Sequence, residues 1–318
     1  MSRKIVVVHA VRPEHEAQIR RIAPEFELFH SKDKEALKSE LRDAEIVAGW
    51  NSLAEAECFE PDAKLRWVQN WGAGVDRMPL HRFAERQVVL SNASGVHPNP
   101  ISESVLAMML ALTRGVHRSI QNQGKRYWKP LNQLGEMHGK TVGIIGVGAI
   151  GTEIAKLCKA FDMRVIGVKR TAEPVANVDR MVTLEQLDEV LVESDYVVST
   201  LPLTQETEQL FGAEQFARMK PTAYYINIGR GKTTHTKALI EALQKGELAG
   251  AGLDVFETEP LPESDPLWEL DNVIITAHNS GSTQQYEDRA MEIFLHNLKD
   301  YVAGRTPSRN VVDLERQY

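Results

Sequence analysis

Cysteine is nearly absent from this chain: Cys58 and Cys158 are the two in 318 residues. They stand far apart and without metal-ligand spacing, which excludes a disulfide-stapled fold and a structural zinc site, so no metal is expected. Cys158 falls on the apolar stripe of a predicted helix, where a thiol acts as a small core hydrophobe. Long hydrophobic runs are missing as well. The first apolar run, Ile5-Val6-Val7-Val8, is short and soon followed by charge, which predicts no signal peptide. Nothing approaches the roughly 20 apolar residues of a membrane span. Cytoplasm is the expected compartment, with no membrane partner. Positive charge is not in excess either: 37 Lys and Arg face 44 Asp and Glu, for a formal charge of −7. That argues against nucleic acid as a partner, and an anionic ligand would need a local cluster of cations.

What is present is a globular composition, with 42% hydrophobic and 25% charged residues, and a length that suggests about two domains. The first ninety or so residues alternate short apolar runs (4–9, 26–29, 45–50, 65–70 and 88–90) with helical patterns at 14–22 and 34–41. Such alternation predicts a parallel sheet with crossover helices, here a small flavodoxin-like unit. A break at Ser94-Gly95-Val96-His97-Pro98-Asn99-Pro100 precedes a long helical stretch, Ile101 to about Gly115. A second series begins at Lys140, with six expected strands at 141–145, 164–168, 196–200, 223–228, 250–255 and 273–276. The last forty residues are too few for a third domain and should return to the first. The expected fold is therefore α/β, a doubly wound Rossmann domain (97–277) inserted into a flavodoxin-like substrate domain (1–96 and 278–318).

Gly146-Val147-Gly148-Ala149-Ile150-Gly151 matches G-x-G-x-x-G. The string is weak alone, but here an apolar strand precedes it and an amphipathic helix and second strand follow. Gly146 permits the tight turn, Gly148 lets backbone approach a pyrophosphate, and Gly151 lets the helix pack on the sheet. The phosphates would sit at the helix N-terminus, where free N–H groups face them. An NAD-binding chain normally carries Asp or Glu at the end of the second strand. Here Lys169, Arg170 and Thr171 stand there instead. Two cations and a hydroxyl suit a 2′-phosphate, so NADP(H) is expected over NAD(H). A solvated Lys-Arg pair is the plain alternative.

Further strings follow in order: Gly72-Ala73-Gly74-Val75-Asp76, Leu201-Pro202-Leu203-Thr204, Asn227-Ile228-Gly229-Arg230-Gly231, Gly252-Leu253-Asp254-Val255-Phe256-Glu257 with Glu259-Pro260, and Ala277-His278. With the glycine motif they make the sequence resemble the D-isomer-specific 2-hydroxyacid dehydrogenase family along essentially the whole chain, and in particular its glyoxylate and hydroxypyruvate reductase branch. By that resemblance Arg230, Glu259 and His278 match the catalytic trio. A guanidinium suits a 2-keto acid, holding its carboxylate and polarising its carbonyl. A histidine suits proton delivery to the carbonyl oxygen, and a carboxylate partner orients the ring and favours its charged form. Taken singly, each has a duller reading as a surface or structural residue. All three stand at or just beyond strand C-termini, where open α/β sheets bind ligands.

The resemblance further implies that the backbone of Gly72, Ala73, Gly74 and Val75 receives the substrate carboxylate. Trp50 and Trp71 end neighbouring strands and wall the pocket or fill the core. The cofactor site would take in Thr200, Leu201, Pro202, Thr207, Ile228, Gly229, Arg230, Asp254 and His278 as well as Gly146, Gly148, Ala149, Ile150, Gly151 and the Lys169–Thr171 group. His97, at the crossing between domains, reads as a hinge residue or a ligand contact. A homodimer is implied, built through the cofactor domains and the Ile101–Gly115 helix. Two departures stand out: Ala277 replaces the proline common before the catalytic histidine, and Asn279-Ser280-Gly281 replaces a small apolar stretch after it. The expected activity is NADPH-dependent reduction of a small 2-keto acid to the D-2-hydroxy acid. The alternatives are an NAD-dependent D-2-hydroxyacid or phosphoglycerate dehydrogenase, and a nucleotide-sensing corepressor-like module, against which the intact trio weighs.

Overall fold

A computed structural model describes residues 3–316. In the first part of the chain β1 (Arg3–Val7), α1 (Pro13–Ile22), β2 (Phe26–His30), α2 (Lys34–Leu41), β3 (Ile46–Ala48), α3 (Ser52–Cys58), β4 (Trp67–Gln69), α4 (Leu80–Glu85) and β5 (Val89–Ser91) alternate. The strands pair in parallel in the order β2-β1-β3-β4-β5, the flavodoxin-like arrangement. Ile5, Val6, Val7 and all of Ile46–Ala48 are fully buried, as strands covered by helices on both faces must be. Side-chain caps fix two helix starts: Asp33 accepts the Glu35 N–H and Asn51 accepts the Ala54 N–H, each at 2.9 Å. The last helix, Tyr286–Val302, packs Met291, Phe294 and Leu298 against Ile5, Val7 and Trp67.

By its contacts the chain divides into two units, one running to Val96 and resuming at Gln284, the other spanning His97–Thr283. The return crossing thus lies six residues beyond the position read from the sequence, and His278 belongs to the second unit.

The second unit holds α5 (Pro98–Thr113), α6 (Val116–Gly124), β6 (Thr141–Ile145), α7 (Ala149–Lys159), β7 (Arg164–Val168), β8 (Arg180–Val182), α8 (Leu187–Glu193), β9 (Tyr196–Ser199), α9 (Ala213–Arg218), β10 (Tyr224–Asn227), α10 (Thr236–Gln244), β11 (Gly250–Leu253) and β12 (Val273–Ile275). Its parallel sheet runs β12-β11-β10-β9-β6-β7-β8. This corrects the expected six strands to seven. The strand missed, β8, is three residues long, lies at the edge and opens on Arg180, which pairs with Glu193 at 2.6 Å. A charged, half-buried edge gives no hydrophobic run to read. With β8 in place the order around β6 is that of a doubly wound sheet, reversing direction between β6 and β9.

Helix α5 starts at Pro98, earlier than Ile101, because proline at the first position costs no hydrogen bond. Val105, Met108, Met109 and Leu112 are buried among Val142, Ile154, Val198 and Ile226. The apolar residues of this helix are thus largely consumed inside its own unit. The exposed ones come after it: Val116, Ile120, Tyr127, Trp128 and Leu134. Both thiols are buried, and burial pushes each up to about 12, so neither is reactive at neutral pH.

Candidate active site

Loops at the carboxyl ends of β10, β11 and β12 carry the trio. After β10, the Asn227 side chain accepts the Gly229 N–H at 3.0 Å and donates to the Arg230 carbonyl at 3.2 Å, folding the chain into a tight turn. Gly231 completes it at such close quarters that a Cβ there would lie 1.9 Å from the Phe256 backbone. Arg230 is thereby held beside the loop after β11. In that loop Glu259 accepts the Phe256 N–H through Oε1 at 3.1 Å, and its Oε2 lies 2.9 Å from His278 Nδ1. The carboxylate is mostly covered (21% exposed), whereas the imidazole is half open (49%). With Nδ1 engaged by Glu259, Nε2 is the nitrogen left for a ligand.

His278 has a left-handed backbone (φ +49°), a conformation costly for a residue with a Cβ. Asp254 holds it there. The Asp254 carbonyl accepts the His278 N–H at 2.9 Å. Its carboxylate, 1% exposed, accepts from Thr276 Oγ1 at 2.6 Å, Asn279 N–H at 3.0 Å, Ser280 N–H at 3.2 Å and Ser280 Oγ at 2.5 Å. The segment 276–280 is thus wrapped around one buried carboxylate. Gly281 follows because the His97 ring occupies the space: a Cβ would sit 2.8 Å from His97 Cδ2.

At the β6–α7 junction Gly146 has φ +105°, and Thr200 Oγ1 donates to its carbonyl. A Cβ at Gly151 would fall 2.7 Å from the Gly146 oxygen, so only glycine lets α7 pack that near. A Cβ at Gly148, in contrast, would meet nothing within 4 Å. Open space beside an extended glycine at a helix N-terminus fits the pyrophosphate of a dinucleotide. Lys169, Arg170 and Thr171 are exposed just past β7.

In the first unit, the loop after β4 has its carbonyls pinned inward. Asn70 Nδ2 donates to Gly72 O (3.0 Å) and Gly74 O (2.9 Å), Asn92 Nδ2 to Ala73 O (2.8 Å), and Ala93 N–H to Gly72 O (3.1 Å). Among the described residues no protein acceptor meets the N–H groups of Gly72, Ala73, Gly74 or Val75. Successive amides without protein acceptors are the kind of backbone group that can receive an anion.

Comparison with known proteins decides what these parts belong to. Residues 106–280 match the model of the D-isomer specific 2-hydroxyacid dehydrogenase NAD binding domain. A glyoxylate reductase of Pyrococcus furiosus is 34% identical over 96% of this chain and 94% of its own length. The chain belongs to the D-isomer specific 2-hydroxyacid dehydrogenase family. Two solved structures agree: a family protein from Aeromonas salmonicida subsp. salmonicida (32% identity, TM-score 0.87, 99% and 100% of the two chains) and an NADPH-dependent glyoxylate/hydroxypyruvate reductase from Sinorhizobium meliloti in complex with NADP and sulfate (29%, 0.83, 99% and 100%). As a family member the chain is an NAD(P)-dependent oxidoreductase that acts on CH–OH groups and interconverts 2-hydroxy and 2-keto acids.

Within that dehydrogenase frame, several expected contacts look different at atomic detail. Thr207 is 7% exposed and its hydroxyl is spent on Pro202 O (2.7 Å) and the Thr204 N–H (2.8 Å), so it shapes the loop after β9. Ile228 is buried in the core and offers only backbone. Leu201 lies against Gly229, where a Cβ would be 2.6 Å from its carbonyl oxygen. Trp50 turns its ring onto Phe59 and Phe83 in the core, at 5.8 and 5.1 Å. Asn70 and Asn92 were not singled out from the sequence, and Ser280 stood out there only as part of a departure from the family strings. A lone amide or hydroxyl one to four residues from a motif carries no signal until the turn is built.

Proposed function

We propose that the chain reduces a short 2-keto acid, glyoxylate or hydroxypyruvate, to the D-2-hydroxy acid with NADPH, acting in the cytoplasm as a homodimer. The observation that carries this reading is the His278–Glu259 pair, fixed at 2.9 Å on a strained loop with Nε2 open. Reduced nicotinamide, when bound, supplies the hydride to the keto carbon. His278 donates a proton from Nε2 to the keto oxygen, and Glu259 orients the ring and favours its charged form. Arg230 anchors the substrate and polarises its carbonyl. In oxidation the same imidazole takes the proton back. Lys169 and Arg170 attract the 2′-phosphate, Arg170 by a two-pronged hydrogen bond. The exposed apolar residues after α5, with Trp128 94% exposed, support a surface that a second copy covers.

Steady-state kinetics over a panel of 2-keto acids, with NADPH and NADH in parallel, tests the reading. Turnover of glyoxylate or hydroxypyruvate with NADPH favoured is expected, and cofactor binding without turnover on any of the panel overturns it. For the cofactor, the Lys169→Asp, Arg170→Ala double variant should swing selectivity toward NADH, and unchanged selectivity refutes the phosphate pocket.

A further inference from the structure

One buried titratable group of the second unit has no part in the chemistry above. Tyr225, on β10, is fully buried, with its ring against Phe211 and Phe216 at 5.0 and 5.4 Å. Phenylalanine would fill that space, and an unbonded hydroxyl in it would cost free energy. The hydroxyl is bonded: it lies 2.7 Å from Thr234 Oγ1. Burial pushes the phenol above its ordinary range, so it stays neutral near pH 7. The same Thr234 oxygen accepts from Asn227 Nδ2 at 3.0 Å. Asn227 is the side chain that folds the Arg230 turn, through the Gly229 N–H and the Arg230 carbonyl. Thr233 Oγ1 also donates to that carbonyl, at 2.7 Å. Tyr225 stands on the strand before the turn and Thr234 just after it, so the phenol closes the turn at its base. Tyr225, Asn227 and Thr233 are completely covered and Thr234 is 4% exposed, so water does not replace a lost partner.

We propose that Tyr225 is a positioning residue: through Thr234 and Asn227, its hydroxyl fixes the turn that presents Arg230 to the substrate. The inference rests on the reading of Arg230 as the substrate anchor and names what holds that anchor still. A threonine hydroxyl that accepts from the Asn227 amide has its own proton and a second lone pair left, and the phenol engages it there. Without the phenol, the Thr234 hydroxyl rotates and its proton can turn toward the Asn227 amide, where donor meets donor. Asn227 then loses one of the acceptors that hold its Nδ2, and its grip on the Gly229–Arg230 peptide slackens. A guanidinium fork holds a carboxylate and a carbonyl in fixed directions, so a turn that wanders weakens both contacts.

The test measures kcat/KM for glyoxylate and hydroxypyruvate with NADPH, well below the melting temperature of each protein. It compares the wild type with Tyr225→Phe, Thr234→Val, Thr234→Ser and the Tyr225→Phe, Thr234→Val double variant. Tyr225→Phe and Thr234→Val should each lower kcat/KM about three- to tenfold. Thr234→Ser keeps the oxygen and should stay within about twofold of wild type. The double variant faces one apolar group with another, so a purely structural bond predicts that activity recovers. Positioning predicts that it stays within about twofold of the lower single variant. Wild-type kcat/KM in Tyr225→Phe overturns the inference, as does recovery in the double variant, a loss there equal to the product of the two single losses, or a full loss in Thr234→Ser. If Tyr225→Phe does not fold, the contrast between Thr234→Val and Thr234→Ser decides. A wild-type enzyme that reduces neither keto acid sinks the functional reading, and this inference with it. An active wild type matched by Tyr225→Phe sinks this inference alone.

Discussion

Replacing Ser280 by alanine removes one oxygen from the clamp that positions His278, the proposed proton donor. Ser280 Oγ donates to Asp254 Oδ2 at 2.5 Å, and the residue is 6% exposed, so water cannot readily take over the bond. A hydrogen bond to a charged group contributes about 1.5–3 kcal/mol. The Asp254 carboxylate keeps its bonds from Thr276 Oγ1 and from the N–H groups of Asn279 and Ser280, so the loop should loosen rather than come apart. If the whole loss falls on the population of the left-handed His278 conformer, the rate drops about 10- to 150-fold. Because a proton donor acts in the transition state, the loss should appear in kcat more than in KM. The same energy lowers the melting temperature of a domain of this size by roughly 3–12 °C. Steady-state assays with NADPH and glyoxylate and a thermal melt read both effects. A variant within about twofold of wild type in kcat, with an unshifted melt, refutes the clamp.

Two further expectations concern packing and charge. Gly231→Ala places a methyl group 1.9 Å from the Phe256 backbone, where no flexible side chain gives way, so unfolding measurements should show a loss of more than about 3 kcal/mol, and activity should fall with it. A wild-type melt for that variant contradicts the close approach. Asp179 accepts the Val165 N–H at 2.7 Å and pairs with Lys159, and these hold its carboxyl below the usual carboxylate range. A folded pKa depressed in this way adds stability at neutral pH that is lost as pH falls through the lowered value. Denaturant titrations should find Asp179→Asn less stable than wild type at pH 7, with the gap closing below about pH 4. A gap independent of pH refutes the assignment.

Much of this was legible in the chain itself because burial on both faces of a parallel sheet leaves unbroken apolar runs, as in β6 and β9. The edge strand β8 was not legible, since Arg180 and Met181 are half-buried and three residues set no period. The glycine motif was readable because its spacing is dictated by backbone sterics, and the trio because its family strings stand in order. The support beneath them was hidden. The sequence does not show that the loop closes on the Asp254 carboxylate, and of the two readings of Trp50, pocket wall or core, its contacts with Phe59 and Phe83 favour the core. That Asn70 and Asn92, just beyond β4 and β5, donate to the carbonyls of the Gly72–Val75 loop could be read only once the fold had brought them together.

The most direct test of His278 as proton donor is the rate of NADPH oxidation by glyoxylate in a His278→Gln variant shown to bind NADPH. The imidazole's role predicts a fall of about 10²- to 10⁴-fold against wild type. A variant that keeps a rate within about tenfold of wild type would mean that the proton reaches the keto oxygen from somewhere else.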